Sequence, residues 1–188
     1  MRSLFSSLVI AIGVLTFTSC NPSSKYSAEL EEIDSCLTVL DEMEADLNGI
    51  EFDSLMLMRN HVLRNEDSIQ VYYHPDTLSI EIGKRMNECK GIRKSLEHVE
   101  TKEAKYRDEL VAVRIQFKNL KSDIENGILT EEEVKQYLED EKLALINLNN
   151  SFHDFYILQE SQKKFYYSAV PVIDELIEQL KSEAQLEE

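Results

Sequence analysis

Between Cys89 and Ile124 the apolar residues recur at alternating steps of three and four: Cys89, Ile92, Leu96, Val99, Tyr106, Leu110, Val113, Phe117, Leu120 and Ile124. Within that register only Glu103 is polar. Such spacing keeps side chains on one face of an α-helix and is the signature of a coiled-coil seam. It predicts a helix over 76–126, about fifty residues and roughly 75 Å long at 1.5 Å per residue.

The same periodicity places three more helices. One is expected over 27–48, with Tyr26, Leu30, Ile33, Leu37, Leu40 and Leu47 facing inward and Gly49 as its C-terminal cap. A second covers 53–73, with Phe52, Leu55, Met56, Val62 and Ile69 on its apolar side, and Pro75 ends it. After Asn126-Gly127 comes a capping box, Thr130 with Glu133, and a hydrophobic staple, Leu129 with Val134. They start a helix from Glu131 to about Ser182, with glutamates at the positive end of its dipole. Gln159 and Gln162 fall on its seam and predict a polar layer; Pro171 predicts a kink.

So short a turn between two long helices implies an antiparallel pair. The expected fold is all-α: a long antiparallel coiled-coil helical hairpin with two shorter helices packed at its base, residues 26–188 forming one domain. The turn at Gly127, Ile128 and Leu129 would then stand far from the base. The alternative lays the two short helices along the side of the pair.

Composition supports helices. Of 188 residues, 5 are Gly and 3 Pro, and 30% are charged. The net charge of −16 argues against nucleic acid and anionic lipid surfaces as partners. Charge also varies along the chain: 26–58 holds acids and no base, 84–121 is net basic, and 131–188 is acidic again. The middle helix is therefore expected between the other two.

The N-terminus has its own logic. Met1-Arg2-Ser3 precedes an apolar run from Leu4 to Phe17, too short for a stable membrane span and suited to a signal peptide over 1–19. The run ends in Phe17-Thr18-Ser19-Cys20, which resembles a bacterial lipoprotein signal. That resemblance implies lipidation of Cys20 and a short tether over 20–25 at a membrane surface. Asn21 after the cysteine favours the outer membrane over the inner one.

Candidate chemistry is sparse. His61, His74, His98 and His153 lack the spacing of helix-borne metal pairs, and no phosphate loop or nucleophile elbow is present. No catalytic residue, cofactor or metal is expected. Cys36 and Cys89 are the candidate pair for a disulfide, since the first and third helices are expected to run parallel. Ile128 and Leu129 are candidate partner contacts at the turn. The expected function is a membrane-anchored cell-envelope lipoprotein acting as a non-catalytic helical spacer or adaptor for a protein partner. The alternative is a periplasmic helical chaperone: Leu129-Thr130-Glu131-Glu132-Glu133 resembles the Leu-Thr-x-x-Gln signature of small chaperones of that kind, with Glu133 in place of the glutamine. Long seams also pair between chains, which leaves a homodimer open.

Overall fold

The structure is a computed structural model that describes residues 22–75 and 79–186. The expected signal peptide over 1–19 and the candidate lipidation residue Cys20 lie outside the described residues. The described chain is all-helical: α1 (Pro22–Lys25), α2 (Ser27–Gly49), α3 (Phe52–Tyr72), α4 (Ile80–Ser95), α5 (Val99–Glu125) and α6 (Glu131–Leu186).

Cross-helix pairs fix the topology. Along α2 and α3, Glu32 meets Lys142 at 2.7 Å, Phe52 stacks on Phe155, His61 meets Tyr166 and Asn65 meets Asp174. Partner numbers rise together, so α2 and α3 follow one another along α6 in its own direction. Against α5 and α4 the order reverses: Asp34 pairs with Lys121, Glu44 with Arg114, Asn48 with Arg107 and Glu66 with Arg93. The bundle thus has three arms, α2–α3 down, α4–α5 up and α6 down. The 56 residues of α6 reach roughly 84 Å at 1.5 Å per residue.

This differs from the expected base of two short helices. The break between α2 and α3 is only Ile50 and Glu51, with Ile50 extended at φ −80° and ψ 123°. Ile50 N–H still bonds Leu47 O at 3.2 Å, and Leu55 N–H bonds Glu51 O at 3.1 Å. Two residues held this way offset the chain without reversing it. Gly49 ends α2 as a helical residue and is no left-handed cap.

The predicted helix over 76–126 is likewise divided. His98, at φ 61° in the left-handed region, opens a corner between α4 and α5. Leu96 and Val99 on either side are both buried, so the corner leaves the inward seam unbroken. The core is one apolar file shared by the three arms, from Ile33 and Val134 at one end to Val62 and Ile177 towards the other. Gln159 and Gln162 are buried within it, at 1% and 7% exposure.

Candidate functional site

The turn between α5 and α6 is built from two local motifs. Asn126 ends α5 and Gly127 follows at φ 65°. Gly127 N–H bonds Ile124 O, and Ile128 N–H bonds Asp123 O, each at 3.0 Å. Those two bonds satisfy carbonyls that the end of α5 leaves open. Across the turn, Thr130 N–H donates to Glu133 Oε2 at 2.8 Å and Glu133 N–H donates to Thr130 Oγ1 at 3.3 Å. The backbone and hydroxyl bonds from Thr130 hold the Glu133 carboxyl below the usual carboxylate range. Leu129 packs against the core beside buried Val134, whereas Ile128 is 66% exposed. The two candidate contacts therefore separate: Leu129 serves the fold, and Ile128 alone faces outward.

The N-terminal end of the described chain lies at this same turn. Lys25 Nζ sits 3.3 Å from Glu131 Oε2 and 4.7 Å over the Tyr26 ring. The hydrogen bond to Tyr26, then that to Glu131, raises the Lys25 ammonium above its ordinary value. At the opposite end, Tyr72, Tyr73, His74, Pro75 and Leu180 line a shallow cleft, and Ile80, the first residue of α4, is 93% exposed.

Cys36 and Cys89 are free, which corrects the expected disulfide. Since α2 runs antiparallel to α4 and α5, the two thiols are far apart. Cys36 lies near Lys142, and Cys89 lines a cavity with Ile173. Those two levels on α6 are about thirty residues apart, roughly 45 Å of helix.

A polar cluster that no local sequence pattern announces joins α3 to α6. His61 Nδ1 lies 2.8 Å from Tyr166 Oη, and His61 Nε2 lies 3.1 Å from Asp174 Oδ1. Asn65 Nδ2 donates to the same carboxylate oxygen at 2.6 Å. A tautomer with its hydrogen on Nε2 donates to Asp174 and accepts the Tyr166 hydroxyl on Nδ1. The i,i+4 step from His61 to Asn65 was legible, but their partners stand 105 and 109 residues away. Beside the cluster is an apolar cavity of about 230 Å³ walled by Ile69, Met86, Cys89 and Ile173.

Chemically these groups are quiet. Burial first, then the Asp174 charge, pushes the Tyr166 phenol up. Burial pushes the Cys89 thiol up to about 11. Neither supplies an anionic nucleophile near neutral pH, since reactive thiols and phenols need the opposite shift. What the cluster does is tie two helices with charge-assisted hydrogen bonds. His74 bonds Val71 O, and His98 occupies the α4–α5 corner. Among the described residues no group of three or more His, Cys, Asp or Glu is placed to hold a metal ion. No described helix is long and apolar enough to cross a membrane.

Compared with protein-family models, curated proteins and solved structures, the chain matches none of them.

Proposed function

We propose that this chain is a lipid-anchored cell-envelope protein that acts as a non-catalytic helical spacer or adaptor. Its α5–α6 pair is a coiled-coil hairpin along which α2 and α3 are laid. The lipoprotein-like Cys20 supplies the anchor, at the outer membrane, and a protein partner meets the far end. One observation carries this reading: the Lys25–Glu131 pair sets the start of the described chain beside the hairpin turn. Lys25 is the fifth residue after Cys20, and five residues reach under about 18 Å. An anchored chain then holds Ile128 near the lipid. The cleft at Tyr72, Tyr73 and Leu180 stands about 70 Å away at 1.5 Å per helical residue. That reverses the expected direction of the rod and moves the contact surface from Ile128 and Leu129 to the opposite end.

The test is photo-crosslinking in cells with the reactive residue at Ile80 or at Ile128. A discrete protein adduct from Ile80, with lipid or no adduct from Ile128, supports the reading. A discrete protein adduct from Ile128 alone contradicts it. A broad smear from both positions favours the chaperone.

A further inference from the structure

Along the outward side of α6, opposite the buried Leu145, Leu148 and Phe152, runs a second apolar seam. Leu143, Ile146 and Ile157 are 57%, 52% and 52% exposed. Asn150 and His153 complete the alternation of three and four between them. From Leu143 to His153 there is no Asp, Glu, Lys or Arg, the longest such run after Ser24 in a chain of net charge −16. Exposed apolar residues scattered singly are ordinary on a surface. Val111 and Ile115 on α5 are of that kind, flanked by Asp108, Arg114 and Lys118. The α6 seam differs in being periodic and free of charge.

We propose that this face of α6, from Leu143 to Ile157, pairs side by side and in the same direction with the same face of a second copy of this chain. Three considerations select that occupant. Two copies of an acidic chain repel wherever their charged faces meet, and this is the stretch where no charge must be brought together. An alternating seam is what a second helix packs against, and one asparagine at such a seam sets register. Direction follows from the neighbours. In parallel pairing Asn150 meets Asn150, whose amides donate and accept in both senses, and Ile146 meets Ile146. In antiparallel pairing about Asn150, Ile146 would face Asp154 and bury a carboxylate against an apolar side chain. Parallel copies also carry their N-termini at one end, although the pairing does not depend on the anchor.

Two heptads bury less than the roughly 800 Å² per partner of a stable complex. Pairing is therefore weak in dilute solution and grows where copies are crowded. The test is disulfide trapping in cells that make the full-length chain, with Asn150→Cys compared against the parent chain and Ile115→Cys. Mild oxidation is expected to trap several-fold more dimer from Asn150→Cys than from either control, and adding Ile146→Lys is expected to abolish the gain. Equal yields from Asn150→Cys and Ile115→Cys overturn the interface. Co-expressed Leu143→Cys and Ile157→Cys chains that cross-link to each other better than Asn150→Cys does to itself overturn the parallel direction. Because these variants lie on an exposed face, circular dichroism is expected to be unchanged in each.

Discussion

Above the breaks at Ile50 and His98, α2 meets α5 through a ladder of ion pairs over a file of large apolar side chains. Below them, α3 meets α4 and α6 through the His61–Asp174 cluster and a cavity. In the upper half α5 buries Tyr106, Leu110, Val113, Phe117, Leu120 and Ile124, and along its flank Glu44 of α2 meets Arg114, Asp34 meets Lys121, and the Asn48 amide oxygen accepts from Arg107. In the lower half α4 buries only Cys89 and Ile92, and α6 contributes Ala169 and Val170 at the same level. Burial of bulky side chains dominates the first half. The second half also buries Leu55, Met58, Val62, Ile173 and Ile177, but α4 adds little to that file, and polar ties and small residues beside it leave room for a cavity. Apolar area accounts for most of the stability, so the upper half should be the more resistant. Its ion pairs fix which helix is the neighbour more than how firmly it is held.

Core truncation should break the comparison hardest. Phe117, fully buried, when changed to Ala should cost about 3–5 kcal/mol, and Ile173→Ala in the lower half about 2–4 kcal/mol. Urea unfolding checks both. A lower-half variant that costs more than Phe117→Ala would contradict the assignment of stability to the upper half.

The waist between the halves gives the next effect. Gln162 is buried and its Oε1 has no hydrogen-bond partner. An unpaired buried acceptor costs about 1–3 kcal/mol. Gln162→Leu should therefore raise stability by about 1 kcal/mol, read as a higher melting temperature. A fall would mean that a bound water or an alternative rotamer satisfies that carbonyl.

Smaller effects sharpen the contrast. Gly91 lies inside α4 with nothing within 4 Å of the Cβ that alanine would add. Gly91→Ala should stabilise by about 0.5–1 kcal/mol through helix propensity alone. The thiols should separate by environment: burial raises Cys36, and raises Cys89 further to about 11. At pH 8 a maleimide should label Cys36 first. Since the folded value of Cys89 lies above its ordinary 9.0, its contribution is complete below pH 9 and is lost as pH rises towards 11. At the turn the sign is opposite. Thr130 depresses Glu133 below 4.5, so the capping contribution is present above that value and is lost as pH falls through the depressed one. Comparison with Glu133→Gln across an acid titration checks it.

How much of this was legible depends on the range of the interaction. Helix content, the inward file from Tyr106 to Ile124, the capping box at Thr130 and the buried Gln159 and Gln162 are local patterns, and the periodicity shows them. The corner at His98 is invisible to that reading because Leu96 and Val99, three apart, stay inside on both sides of it. At Gly49 a glycine suggests a turn, but the chain runs on through Ile50 and Glu51. A reversal there is what both the expected base and the expected disulfide between Cys36 and Cys89 depend on. The His61 cluster needs the relative register of α3 and α6, which no local pattern contains.

The central claim is that the N-terminal end of the bundle lies beside the α5–α6 turn, with α2 and α3 laid end to end along α6. Electron-spin distance measurements between labels at Ser27→Cys and Ile128→Cys, and between Ser27→Cys and Ile80→Cys, test it most directly. Cys36 and Cys89 would be replaced by serine and alanine in both chains. The account predicts a short first distance, under about 25 Å, and a second of roughly 65 Å at 1.5 Å per helical residue. A long first distance with a short second would mean that α2 and α3 fold back on each other at the opposite end, and would contradict the account.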